Sequence, residues 1–505
     1  MKINGITIHS SYSPEKEASS FIKSLRIRDG RYVFLLLGAG AGYIEKTLAD
    51  FFPGSVIIKI FLSTELYNTA EGKDLSWHPG SPVSLESFLS AAIEDFMLPA
   101  VRLIEWPPCG KAFAGEYEKA VRLIRRFIEE RNASVVTTAN FGRKWIRNTI
   151  LNSLLTNTFV TDIKISKPVL ITAAGPSLSD SINMIRGNRN TFFILALPSS
   201  LEALMHHGIR PDLAVNTDPG FWNRYNLLPV SGSAIPVAMP LSASANRGRN
   251  PVLLIDQNTE TDRFFITRSG IPSVRIPENG TVAGTAVMLA LTLTDMPVFI
   301  AGLDLEYRDI HEHVRPHPFD RIFHQASCRT NPLLNILFTR KAGSASGSST
   351  RAYRTYMQWF NSGSAPRKIY RINPSQSELK FFRGITGAEA AGEAEKYCKT
   401  DKPDGTEVTA VRRSTAESVP EFVSYYTDGI GRLKEAVRDL ASFQDISDFM
   451  NTVGGLKEML ILCCIRDILK ISSTVSGNGI FRKDQLHTIL REAENFLARI
   501  RIRHG

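Results

Sequence analysis

The sequence predicts an α/β protein: Rossmann-like parallel-sheet N-terminal and central domains followed by an α-helical C-terminal bundle. Three observations predict it. Wholly apolar runs of strand length recur up to about residue 385. Most are followed by a small-residue turn and then an amphipathic helix, the order that builds parallel sheets. Beyond residue 385 the alternation stops and helical periodicity takes over. A chain of 505 residues is too long for one ordinary core and points to about three domains of roughly 150 residues. The boundaries expected from these patterns are 1–160, 161–385 and 386–505.

In the first domain YVFLLL (Tyr32 to Leu37) is a buried-strand run, followed by GAGAG and a helix through YIEKTLADFF. SVIIKIFL and PAVRLI repeat the strand signal. Two helical patterns follow, EYEKAVRLIRRFIEE and FGRKWIRNTILNSLLTN. The central domain carries PVLITA, TFFILA, LAVNT, IPVAM, PVLLI, PSVRI and MPVFIAG as strands. Helices are expected after Ser179, from Ser199 to His207 and from Thr281 to Leu293. KAGSASGSSTR (Lys341 to Arg351) has little to bury and is expected as a loop; YRTYMQWF then returns to helix and KIYRINPS to strand. The third domain holds amphipathic patterns around GAEAAGEAEKYCK, SVPEFVSYYTDGIGRLKEAVRDLASF, GGLKEMLILCCIRDILKISS and DQLHTILREAENFLARIRIR, with KTDKPDGTEV as linker. A small helical bundle supports packing or partner contact more often than chemistry.

The 60 Lys and Arg against 50 Asp and Glu leave a net charge of +10, mild for this length. It suits an anionic ligand such as a nucleotide, and no basic stretch interleaved with aromatics marks a nucleic-acid platform. Five scattered cysteines have no metal-ligand spacing and fit a reducing compartment. The start lacks the apolar core of a secretory signal. The longest apolar run, Val282 to Ala301, is broken by Asp295 and Pro297, which suits a buried helix and strand and not a membrane span. A cytoplasmic protein with no membrane partner is expected.

PVLITAAGPSLSD is the most informative segment. A buried strand feeds Ala173-Ala174-Gly175-Pro176-Ser177, and a helix begins near Ser177 and Leu178. Small residues admit a ligand close to the backbone, and N–H groups at a helix start favour phosphate; a tight turn with Ser177 as a plain cap is the alternative. Next, HHGIRPDLAVNTDPG sets Asn216, Thr217 and Asp218 at a strand's carboxyl end, where ligands of open parallel sheets sit. Asp218 suits a general base, a ribose contact or a Mg²⁺ ligand, or turn chemistry alone, since Asp-Pro-Gly is a strong turn former. PENGTVAGTAVMLAL places Asn279, Gly280 and Thr281 at a helix entry, and MPVFIAGLDLEY places Gly302 and Asp304 at another strand end. Three strand ends of one type lift the functional reading.

Four of the ten histidines, His311, His313, His317 and His324, follow that last strand end. Imidazole titrates near neutrality and serves as acid, base or ligand, but the spacing fits no zinc signature, so no metal site is expected. The N-terminal GAGAG (Gly38, Gly40, Gly42) resembles a nucleotide turn. Its next strand, SVIIKIFL, lacks the acid a dinucleotide site requires, so a structural turn is favoured. No P-loop occurs, and no nucleophile elbow stands in a strand–turn–helix setting.

In this order AAGPSLSD, PD…NTDPG, NGTVAGTAVMLAL and GLDLEY resemble the central domain of the motility-associated factor (Maf) flagellin glycosyltransferases, also described as 6-hydroxymethylpterin diphosphokinase MptE-like. His311 and His313 look like the histidine after that family's G-x-D-L element, and YRTYMQWF and KIYRINPS like its closing helix and strand. VFLLLGAGAGY and FGRKWIRNTILN are similar to its amino-terminal region, so the likeness spans about residues 30 to 385. The chain departs from the family at Ala174 and Leu303 and lacks the N-A-T-x-G-G-A run in NPSQSELKFFRGI.

The resemblance implies a sialyltransferase-like enzyme. It would move a nonulosonic acid of pseudaminic or legionaminic type from a CMP-sugar to Ser or Thr hydroxyls of flagellin, or of another surface protein, with no further cofactor. Gly175, Pro176 and Ser177 would then cradle the cytidine phosphate, with Asn279, Gly280 and Thr281 opposite. Asp218 or His311 would deprotonate the acceptor, with His313 beside them and Leu178, Asn216, Thr217, Gly302 and Asp304 lining the site. Two other functions compete: a diphosphokinase using ATP and Mg²⁺ on a pterin alcohol, and a non-catalytic nucleotide-sugar-binding assembly factor. The first wants several carboxylates around its metal, and Asp218 has no acidic neighbour in sequence.

Overall fold

The computed structural model describes all residues except 1, 71, 246–248, 343–350, 363–368, 399–406, 440–445, 475–482 and 505. Most of the expected loop at Lys341 to Arg351 and of the linker KTDKPDGTEV lies outside the described residues. The chain is α/β with parallel sheets and a helical C-terminal region. It divides into two units, Met1–Arg143 with Val423–Gly505, and Lys144–Phe422. The expected boundaries near 160 and 385 thus differ from the grouping at 143 and 422.

In the first unit β1 (Lys2–Ile3) and β2 (Ile6–Thr7) form a small antiparallel pair. The strands β3 (Val33–Leu37), β4 (Val56–Ile60), β5 (Ser76–Trp77) and β6 (Val101–Glu105) make a parallel sheet in the order β5-β4-β3-β6. All five residues of β3 are buried, as a strand covered on both faces requires. The GAGAG turn after β3 is filled by the protein. His9 is buried, stacks on Trp106 with centroids 5.3 Å apart, and its ring nitrogen faces the N–H of Ala41 at 3.4 Å. A Cβ on Gly40 would meet that ring at 2.6 Å, and one on Gly38 would meet Cys109 at 2.7 Å. The glycines serve close internal packing, in keeping with a structural turn.

The two helices expected after PAVRLI are one helix of 42 residues, α1 (Ala114–Leu155). RNASVVTTAN, between the two patterns, has poor helix formers but neither Pro nor Gly, and low propensity alone does not end a packed helix. The residues of α1 from Lys144 onward belong to the second unit. Within the first unit Gly142 of α1 lies against the backbone carbonyl of Leu462, on the helix Lys457–Thr474, with no room for a Cβ.

In the second unit, among the described residues, eleven strands form one sheet. They are β7 (Thr158–Lys164), β8 (Val169–Thr172), β9 (Phe193–Ala196), β10 (Leu213–Val215), β11 (Val237–Met239), β12 (Val252–Asp256), β13 (Ser273–Arg275), β14 (Val298–Ala301), β15 (Ile369–Ile372), β16 (Arg383–Ile385) and β17 (Glu407–Arg412). The order is β16-β15-β14-β8-β9-β10-β11-β12-β7-β17, with β13 also paired to β12. Each pairing is parallel except β17 on β7. The chain leaves β8 on one side through β9 and β10 and returns as β14 on the other. That reversal is the switch point of a doubly wound sheet. Sequence reading missed β7, β16 and β17; none has a four-residue apolar run, and all three lie at or next to an edge of the sheet.

Replacing Gly142 by Ala forces a methyl into the Leu462 carbonyl and is expected to cost about 2 kcal/mol. Thermal unfolding of the full chain, with amide exchange across Lys457–Thr474, checks this. Unchanged melting and protection would contradict the close packing.

Candidate functional site

Because the strands run parallel, the turns after β8, β10 and β14 leave the same edge of the sheet. The turn after β8 is locked to the turn after β14. Gly175 N–H donates to the Gly302 carbonyl at 2.7 Å. The buried carboxylate of Asp304 accepts from the Ser177 N–H at 2.7 Å and from its hydroxyl at 2.5 Å. A Cβ on Gly175 would lie 2.5 Å from the Gly302 carbonyl, and Gly302 has φ +74° and no room beside Ala173. Leu305 at φ +55° completes the bend that turns Asp304 back onto the helix α2 (Leu178–Gly187). Buried Arg371 on β15 lies in electrostatic range of Asp304; burial lowers its pKa while Asp304 and Glu306 raise it. Its guanidinium donates to the Ser377 carbonyl and the Ser375 hydroxyl, each at 2.5 Å.

In this lock the donors of the expected phosphate cradle are engaged by the protein itself. The N–H groups of Gly175 and Ser177 already have partners, Pro176 has none to give, and Leu178, Ser179 and Asp180 donate back into their own turn. Ser177, Leu178, Gly302 and Asp304 are buried. The positive end of α2 is answered by the protein's own carboxylate.

The next helix start is different. The helix α3 (Val282–Leu293) is capped by the Thr281 hydroxyl, which accepts from Gly284 N–H at 2.7 Å. The N–H groups of Val282 and Ala283 have no partner among the described residues. The Asn279 side-chain amide nitrogen beside them is buried without one as well, and Gly280 at φ +67° is exposed. Unmet donors at a helix N-terminus suit an anion.

After β10, Asn216 is buried and structural. Its side chain accepts from the Asp218 N–H at 3.1 Å and from Asn223 at 2.5 Å, and donates to the Ser244 carbonyl at 2.5 Å. Asn148 and Asn152, one turn apart on α1, hold the same loops. Asn148 reaches the carbonyls of Pro219 and Ser242, and Asn152 those of Leu241 and Ala243. Thr217 and Asp218 are half-buried. One oxygen of Asp218 accepts from Gly220 N–H at 2.6 Å; the other has no hydrogen bond among the described residues.

A single helix gathers these ends. On α4 (Arg351–Ser362) the side chains of Tyr353, Tyr356 and Trp359 recur at three-residue spacing, one face of a helix. Tyr353 donates to Glu312 at 2.9 Å. The pKa of Tyr356 is raised, first by burial and then by the charge of Asp218. The Trp359 ring lies against Gly284 at the start of α3, where an added Cβ would be 3.1 Å from both the ring and Asn279. Tyr353 is likewise raised, by burial and Glu312. Glu312 sits between His311 and His313; His311 exchanges backbone hydrogen bonds with Arg308, and His313 stacks on buried His317 with centroids 4.5 Å apart. Arg308 is held by a bidentate ion pair with Asp180. The structure thus brings Asp218, Asn279 and the His311 loop to one helix. Sequence reading missed Glu312, Tyr353, Tyr356 and Trp359 as site residues, although the aromatic spacing of YRTYMQWF was visible. Among the described residues no three His, Cys, Asp or Glu side chains come together as a metal site.

Residues 144–309 match the family model described as 6-hydroxymethylpterin diphosphokinase MptE-like, a match that opens at the first residue of the second unit. The whole chain is similar to the solved structure of a MAf glycosyltransferase from Magnetospirillum magneticum AMB-1. The TM-score is 0.51 at 12% identity, covering 99% of this chain and 84% of that one. The chain is Maf-like in fold and carries an MptE-like domain. It is also similar to two proteins of Treponema pallidum (strain Nichols), both named uncharacterized. One is 29% identical over 308 residues, 60% of this chain and 67% of that protein. The other is 27% identical over 231 residues, and the match spans 39% of its length. Among the described residues no helix is long and apolar enough to cross a membrane.

Two outcomes are expected. Asp304→Ala strands the Ser177 N–H and removes the charge facing Arg371, lowering stability in urea unfolding by about 3 kcal/mol; a loss below about 1 kcal/mol would contradict the lock. Asp218→Asn removes the negative charge that disfavours phenolate at Tyr356, so that phenol ionises at lower pH. Ultraviolet titration, with Tyr356→Phe identifying the signal, checks the sign; an upward shift would contradict the pairing.

Proposed function

We propose that this chain is a glycosyltransferase of the cytoplasm that moves a nonulosonic acid, of pseudaminic or legionaminic type, from its CMP-sugar to Ser or Thr hydroxyls of flagellin. The observation that carries it is the convergence on α4 of a half-buried carboxylate and a helix start with unmet donors, within a Maf-like fold. Val282 and Ala283 N–H and the Asn279 amide receive the phosphate of the donor. Negative charge accumulates on that phosphate as the sugar leaves, and donors fixed in advance stabilise it without reorganising. The free oxygen of Asp218 takes the proton of the acceptor hydroxyl as its oxygen attacks the sugar centre. Tyr356, whose pKa is raised first by burial and then by the charge of Asp218, stays protonated at neutral pH within electrostatic range of that carboxylate. His311 and His313, on the loop pinned by Glu312 and Tyr353, stand on the acceptor side, with His311 the alternative base.

The name of the matched family model favours a second reading, pyrophosphoryl transfer from ATP with Mg²⁺. Among the described residues no three His, Cys, Asp or Glu side chains gather to hold a cation between phosphates, so the sugar-transfer reading stands first.

Thermal-shift titration separates the two. CMP without metal, at about 100 times its dissociation constant, is expected to add about 2.7 kcal/mol of stability. Stabilisation by ATP only with Mg²⁺ would move the assignment to the diphosphokinase. With a CMP-sugar and flagellin, Asp218→Asn is expected to lower kcat by about 10²- to 10⁴-fold. Unchanged rates in both Asp218→Asn and His311→Ala would contradict the mechanism.

A further inference from the structure

The loop that carries Asp218 continues into FWNRY, and it displays aromatic rings instead of burying them. Phe221 is 50% and Trp222 56% exposed. Trp222 and Tyr225 stack with centroids 5.5 Å apart at 29°. The Arg224 guanidinium carbon lies over Phe221, 3.6 Å from the ring centroid, and 5.6 Å from that of Tyr225. No carboxylate pairs with Arg224 among the described residues. Its charge is therefore held in place by the rings and left unneutralised.

This display is built rigidly. Asn223, between the exposed residues, is buried and bonded to Asn216, and Asn226 donates to Asn223 at 2.9 Å. The short helix Asn223–Asn226 packs on Pro198–Ser200, which follows β9, so the rings stand at the carboxyl edge of the sheet. Exposed rings on a pinned loop lose little further entropy when a ligand covers them.

We infer that Phe221, Trp222, Arg224 and Tyr225 form the subsite for the carboxylated sugar ring of the donor. The inference rests on the glycosyltransferase reading and deepens it. A pyranose presents a flat face of C–H groups that packs on an aromatic ring. The carboxylate of a nonulosonic acid matches the fork of an arginine that has no internal partner. Asp218, three residues before Phe221, then lies beside the sugar centre that an acceptor hydroxyl attacks.

The test is calorimetric titration of the full chain with CMP and with CMP-N-acetylneuraminate, a nucleotide sugar bearing this carboxylate. Wild type, Trp222→Ala and Arg224→Gln are compared after their melting temperatures are matched. The sugar nucleotide is expected to bind the wild type more tightly than CMP. Each variant is expected to weaken it about tenfold while CMP changes less than about twofold. Equal loss for both ligands would overturn the sugar subsite, because the rings would then serve the nucleotide. No loss for either, or no gain from the sugar in the wild type, would overturn it and leave the CMP reading standing. A wild type that binds neither ligand would sink that reading as well.

Discussion

The architecture of the second unit depends on one buried carboxylate. Asp304 reaches from the end of β14 to the start of α2, beside the strand end where the strand order reverses. In many doubly wound sheets the reversal opens a crevice for a ligand. Here the protein closes it: two glycines bring the backbones together, and the aspartate answers the helix dipole. Burying that charge is tolerable because two hydrogen bonds and the nearby Arg371 compensate it. The strand ends are thereby fixed relative to one another, so the loops leaving them start from defined positions.

With the α2 terminus satisfied, the helix start whose donors stay open is that of α3. Both helices begin after strands of the same sheet and both follow small residues, yet their donors have opposite fates. At Ser177 the N–H is taken; at Val282, Ala283 and Asn279 the donors have no partner among the described residues. Helix α4 then connects this site to Asp218 and Glu312 through three aromatic side chains. An aromatic wall lowers the local dielectric and strengthens the interactions it encloses.

Much of the fold was legible because buried parallel strands leave continuous apolar runs. PVLITA, TFFILA and MPVFIAG could hardly be anything else, and each is a strand. The edge strand β17 and its neighbour β7 escaped notice because half-exposed strands dilute that signal with Thr and charged residues. The fusion of two helical patterns into α1 escaped because propensity describes a local preference and packing overrides it. At the site, the turns at Gly175, Asp218, Asn279 and Gly302 were readable from small residues and carboxylates at strand ends. Whether a donor is free or already engaged is a long-range fact. Ser177 and Asp304 are 127 residues apart, and no local pattern pairs them. The tyrosines of α4 were visible as a helical stripe, but their meeting with Asp218 and Glu312 is a property of the fold alone.

The most direct measurement is a crystal structure of the protein with CMP bound, read for the position of the phosphate. Phosphate oxygens are expected within hydrogen-bonding distance of the N–H groups of Val282 and Ala283 and of the Asn279 amide, with the Asp304–Ser177 pair intact. A phosphate seated on Gly175 and Ser177, with Asp304 displaced from the start of α2, would contradict this placement.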